Sequence, residues 1–159
     1  MLQNGQRLVA SCFLGLLVLG CGLDSIGSKS IRGTVTHPRS PSKTFDFRLV
    51  IPRSWVGKTS AETHQGGRFF TIYFDRPPRS MVVSVGIYTA EEWQTLSSTR
   101  EEQPFESVKL ADANSYVLAY GSPLDMPYSG PDAQLFARMV REIPKVMETF
   151  RVESSDSAQ

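Results

Sequence analysis

The stretch from Thr44 to Trp55 constrains the fold most: Phe45, Phe47, Leu49 and Ile51 alternate strictly with Asp46, Arg48 and Val50, and Pro52 follows at once. A period of two with one apolar side describes a strand with one buried face. Proline cannot donate to a strand ladder and fixes its own φ, so the strand must end there and the chain must turn, bringing Trp55 onto whatever the strand covers.

The rest of the chain is material to add to this strand. After Trp55, the run His64-Gln65-Gly66-Gly67 supplies the positive φ of a tight turn, and a hairpin is expected there. Arg68 to Asp75 holds Phe69, Phe70, Ile72, Tyr73 and Phe74, too continuous for a strand with one wet face, so a central position is expected. Arg76-Pro77-Pro78-Arg79-Ser80 reads as an exposed loop, and Met81 to Tyr88 as a further strand. Thr89-Ala90-Glu91-Glu92 has the capping-box pattern and opens a short helix with Trp93 and Leu96 on one face. Glu106 to Leu110 and Ser115 to Tyr120 read as strands about a turn at Ala111 to Asn114. A main helix opens near Pro131, carries Leu135, Phe136, Met139, Val140, Ile143, Val146 and Met147 on one stripe, and should kink or stop at Pro144. Phe150 to Val152 reads as a last strand and Glu153 to Gln159 as a frayed tail. The expected domain is therefore a single, monomeric α+β body over residues 44–152, a sheet with the main helix packed on it, with Phe47, Trp55, Phe70, Val83, Trp93 and Phe136 in its core.

The first 43 residues differ in kind. Arg7 is followed by an apolar run from Leu8 to Gly20, the layout of a secretory signal over residues 1–20, and far shorter than the roughly 20 apolar residues of a membrane-crossing helix. Gly22 to Lys43 is rich in Ser, Gly, Pro and Thr with scattered Lys and Arg, which reads as a flexible tether. Gly27-Ser28-Lys29 lacks the strand, glycines and helix of a phosphate loop. The 17 basic residues nearly cancel the 16 acidic ones, so bulk charge gives no support for a nucleic-acid partner.

Leu17-Val18-Leu19-Gly20-Cys21 resembles the lipobox of bacterial lipoproteins, in which the cysteine thiol receives a diacylglyceryl group and becomes the first mature residue. The resemblance implies lipidation at Cys21, a membrane-lipid partner and a place in the cell envelope. Gly22, rather than aspartate, then points to the periplasmic face of the outer membrane where two membranes exist. Val18 and Leu19 depart from the pattern, which has leucine and a small residue at those places. Val9-Ala10-Ser11-Cys12 is a rival that fits locally but follows Arg7 with almost no apolar segment. With Cys12 removed and Cys21 acylated, no thiol remains for a disulfide.

The segments Phe45 to Trp55 and Glu142 to Phe150 resemble the opening and closing segments of PsbP-like domains, a group that includes photosystem II accessory proteins, DcrB-type lipoproteins and secretion chaperones. The resemblance implies a twisted antiparallel sheet flanked by helices, an α/β/α sandwich, and a binding, assembly or accessory role with no catalytic residue to carry over. The residues themselves show no catalytic motif and no cofactor motif. His37 in the tether and His64 in a turn lack the neighbours of a zinc site. Glu91 and Glu92, or Glu101 and Glu102, read as solvated surface rather than catalytic pairs. A dispersed hydrolase site or a small-ligand site of the envelope is the alternative. Leu124, Met126 and Tyr128, in the loop from Gly121 to Pro131, are apolar enough either to cap the sheet or to meet another envelope protein, and they are the candidate contact.

Overall fold

A computed structural model describes residues 27–99 and 105–153. Its strands are β1 (Lys29–His37), β2 (Ser40–Ile51), β3 (Thr59–His64), β4 (Phe69–Phe74), β5 (Ser80–Thr89), β6 (Phe105–Ala113), β7 (Tyr116–Pro123) and β8 (Arg151–Glu153). The helices are α1 (Ala90–Ser98), between β5 and β6, and α2 (Gly130–Glu148), between β7 and β8. The architecture is α+β and mostly strand. In place of one flanked sheet, the strands form two antiparallel sheets, of order β1-β2-β8 and β3-β4-β5-β7-β6.

The alternation in β2 does what its period dictates. Phe47, Leu49 and Ile51 are buried, and antiparallel pairing sets Phe47 opposite Gly33 and Phe45 opposite Val35. β1 is the main departure from expectation. Residues 29–43, expected as tether, form β1 and the start of β2, and Ile31, Gly33, Val35 and His37 make the inward face of β1. Gly33 belongs there because the Phe47 and Phe70 rings, packed edge to face with centroids 5.3 Å apart, occupy the space a Cβ would take. Gly33→Ala should therefore overpack the core and lower stability by about 1–3 kcal/mol in urea unfolding, with the slope of the transition unchanged.

The hairpin joining β3 to β4 turns through positive φ at Gln65, Gly66 and Gly67. β4 lies inside its sheet, between β3 and β5, with Phe70, Ile72 and Phe74 on the core side. β5 pairs with β7 rather than with the next strand in sequence, which leaves β6 on the edge. The turn from β6 to β7 is shorter than expected and rests on Asn114 at φ 58°.

α2 closes the core with Phe136, Met139, Ile143, Val146 and Met147. Pro144 neither ends nor breaks it: the helix runs to Glu148, Pro144 lies on its exposed side, and the buried residues around it hold the last turns. The Trp55 indole and the Ser54 hydroxyl each donate to Glu142 Oε2 at 2.8 Å, clamping α2 to the turn after β2. The Val50 amide donates to Thr149 Oγ1 at 2.8 Å, and β8 then pairs with β2 through Val152 and Phe47. Trp93, expected in the core, is only partly buried, because α1 packs on the outer face of the larger sheet with Tyr88, Val117 and Ala119. Among the described residues no helix is long and apolar enough to cross a membrane.

Candidate functional site

The candidate surface lies around Tyr88, on the outer face of the five-stranded sheet, where two concavities meet. β1 contributes through its last residue. The inward alternation of Ile31, Gly33 and Val35 delivers His37, whose side chain is 3% exposed and whose ring lies 5.1 Å from that of Tyr116. His37 is thus a buried strand residue rather than a tether residue. Neither ring nitrogen has a hydrogen-bond partner among the described residues, although Nε2 lies 3.5 Å from Glu92 Oε2.

Glu92 is held by the capping box. Its carboxylate accepts from the Thr89 amide at 2.9 Å while its own amide donates to Thr89 Oγ1 at 3.1 Å. Arg68, placed by the β3–β4 turn, brings its guanidinium 3.1 Å from the same carboxylate oxygen and lies over the rings of Tyr88 and Phe69. Burial pushes the Glu92 carboxyl up, but the Thr89 amide, the Arg68 charge and His37 together hold it below its ordinary value of 4.5. Burial raises the Tyr88 phenol, against the opposing pull of Arg68.

Glu92 therefore stabilises the fold in a defined direction. A carboxyl with a lowered folded-state value contributes stability above its unfolded value and loses it as pH falls through the folded value. Below about pH 4.5 the wild type should lose stability faster than Glu92→Gln, and the gap between them at neutral pH should close, as followed by thermal unfolding across the acid range.

Two concavities meet at Tyr88. A basin of about 710 Å³ opens between α1 and the ends of β1, β4 and β7, walled by Arg39, Arg68, Tyr88, Glu92, Thr95 and Tyr116. A groove of about 350 Å³ runs along the sheet under Phe69, Tyr73 and Tyr88, with Thr71, Ser84 and Gly121 on its floor and His64 at its edge. The Thr71 and Ser84 hydroxyls share a hydrogen bond at 2.8 Å, and Tyr73 and His64 share another at 2.8 Å. Gly86 lets the two aromatic rings close over the sheet, since a Cβ there would meet the Phe69 ring at 2.7 Å and the Tyr88 hydroxyl at 3.0 Å. Among the described residues no three His, Cys, Asp or Glu side chains gather as metal ligands.

The candidate loop divides. Tyr128 turns inward, with ring centroids 5.1 Å from Phe74 and 5.0 Å from Phe136, and its hydroxyl donates to the carbonyls of Pro78 and Arg76. Leu124 and Met126 stay outside, 65% and 47% exposed. Cys21 lies outside the described residues. His37, Arg68 and Tyr88 are site residues that sequence reasoning missed. The signal for His37 was the period-two series Ile31, Gly33, Val35, His37, broken in its middle by a glycine. Compared with known protein families, curated proteins and solved structures, the chain matches none.

Proposed function

We propose that this protein is a lipid-anchored lipoprotein of the cell envelope that acts as a binding or assembly factor without chemistry of its own, and that it takes another envelope protein at the basin beside α1. The observation that carries this reading is the state of the basin's charged groups. Glu92 is held ionised by the Thr89 amide and Arg68, so at neutral pH the wall offers fixed charges and tyrosine rings. A general acid or base would need a value near the working pH. Support for the anchor is the lipobox-like run ending at Cys21. Support for an accessory role of the PsbP-like kind is the pairing of the two segments that carry the resemblance, since Trp55 and Ser54 of the first donate to Glu142 of the second.

The partner segment that suits the basin brings an acidic group to Arg39 and an apolar or ring face to Tyr116. Thr95 is exposed on the basin wall and Arg39 is exposed in the β1–β2 turn, so both accept substitution without disturbing the core. A photo-crosslinking residue at position 95 should give a discrete adduct with one envelope protein, and Arg39→Glu should abolish it. No adduct, or the same adducts with and without Arg39→Glu, contradicts the reading.

The groove favours a second reading, a small ligand with an apolar ring. Its volume is about 350 Å³, within the general range of ligand pockets, and its walls are aromatic with a pair of hydroxyls on the floor. A ring compound that raises the thermal midpoint of the wild type but not of Ser84→Phe would support it.

A further inference from the structure

The chain enters the folded body against Arg53: a Cβ built on Gly27 would lie 2.8 Å from Arg53 Cδ. From there β1 starts, with Lys29 opposite Ile51 at the close of β2. The Asp75 amide donates to the Lys58 carbonyl at 2.9 Å, joining the segment between β2 and β3 to the loop between β4 and β5. The Tyr128 hydroxyl joins that loop in turn to the segment between β7 and α2. The entry point and three loops thus share one end of the molecule. Three of the four large hydrophobic side chains left exposed among the described residues stand there: Val56, Leu124 and Met126. The fourth is Val152, on β8.

Cys21 lies six residues before Gly27 (27 − 21). Six residues span at most about 20 Å of extended chain. α1 and the basin sit at the other end of the strands. A nine-residue strand such as β1 is about 30 Å long. An acyl group on Cys21 would therefore keep the loop end at the bilayer and the basin away from it. In these three loops Arg53, Lys58, Arg76 and Arg79 outnumber the exposed carboxylates of Asp75 and Asp125. Although Arg76 lies 3.9 Å from Asp132 Oδ1 and Arg79 3.5 Å from Asp75 Oδ1, a positive excess suited to anionic headgroups remains.

We propose that the end of the domain carrying Val56, Leu124 and Met126 docks on the anionic lipid surface in which Cys21 is anchored. The inference rests on the lipid anchor proposed above. It commits to lipid because the short span of chain brings this end to the membrane, whereas the basin faces where other proteins approach. Docking then fixes an orientation that the anchor alone would leave free.

The test uses the processed chain, purified from membranes and returned to vesicles of phosphatidylethanolamine and phosphatidylglycerol. An environment-sensitive fluorophore is attached at Met126→Cys, or at Gln94→Cys on the exposed side of α1 as the distant control. An acylated Cys21 cannot be labelled, so one label per chain reports the anchor, and two labels overturn the anchor and the docking together. With one label, the expected result is blue-shifted emission at position 126, quenched by lipids spin-labelled near the headgroup, and neither effect at position 94. Leu124→Glu added to Met126→Cys should reverse the shift while the far-ultraviolet spectrum and thermal midpoint stay unchanged. Equal emission at the two positions, or a shift at 126 that appears only when membrane proteins are present, overturns the proposal.

Discussion

Phe47→Ala should cost the domain roughly 3 to 5 kcal/mol, a large share of the about 5–15 kcal/mol that holds a small domain together. The size follows from where the alternation of β2 puts this ring. Phe47 is fully buried, meets Phe70 edge to face, and lies with its centroid 5.0 Å from that of Phe150. It stands opposite Gly33 on one side and Val152 on the other, so both neighbours of β2 lean on it. No large side chain from β1 can fall into the space, because Gly33 is the residue facing it. Arg48, next in the strand and on the outer face, should tolerate alanine within about 0.5 kcal/mol. Urea unfolding of the two variants checks both figures. A loss below about 1 kcal/mol at Phe47 would mean that β2 uses another register.

Cys21→Ser should move the protein from the detergent phase to the aqueous phase almost completely, and Cys12→Ser should leave it where it was. A diacylglyceryl group brings two acyl chains, each methylene contributing about 0.8 kcal/mol when buried in lipid, whereas one chain alone binds marginally. No helix among the described residues could take over as an anchor by crossing the membrane. If Leu124 and Met126 rest on the lipid, their contact is too small to hold the protein without the acyl chains. Continued partitioning of Cys21→Ser, with release by Cys12→Ser, would assign the modification to the other cysteine.

Local chemistry was legible where neighbours in sequence are neighbours in space. The Gly66-Gly67 turn and the Thr89 capping box close their interactions within a few residues, the β2 alternation and the α2 stripe are written in a local period whatever they pack against, and the structure realises each. β1 was not legible because its inward face reads Ile31, Gly33, Val35, His37. A glycine stands where the pattern needs a large apolar side chain, and the reason, the approach of the Phe47 and Phe70 rings, is a contact across two sheets. The division into two sheets was hidden likewise, since the pairing of β5 with β7 is a long-range choice that no strand pattern encodes. The site suffered most. Arg68, Glu92 and His37 come from three elements, and only Glu92 announced itself, in its role as a cap. Tyr128 is amphipathic and suits either a core or an interface; its hydroxyl found carbonyls of the β4–β5 loop, which turned the ring inward.

The anchoring of this fold at Cys21, six residues from its first strand turn at Gly27, is the claim on which the orientation of the basin depends. Intact-mass measurement of the mature protein from membranes tests it most directly. The expected product is a chain that begins at Cys21 and carries a diacylglyceryl group; a chain that begins elsewhere, or begins at Cys21 without lipid, rules the anchor out.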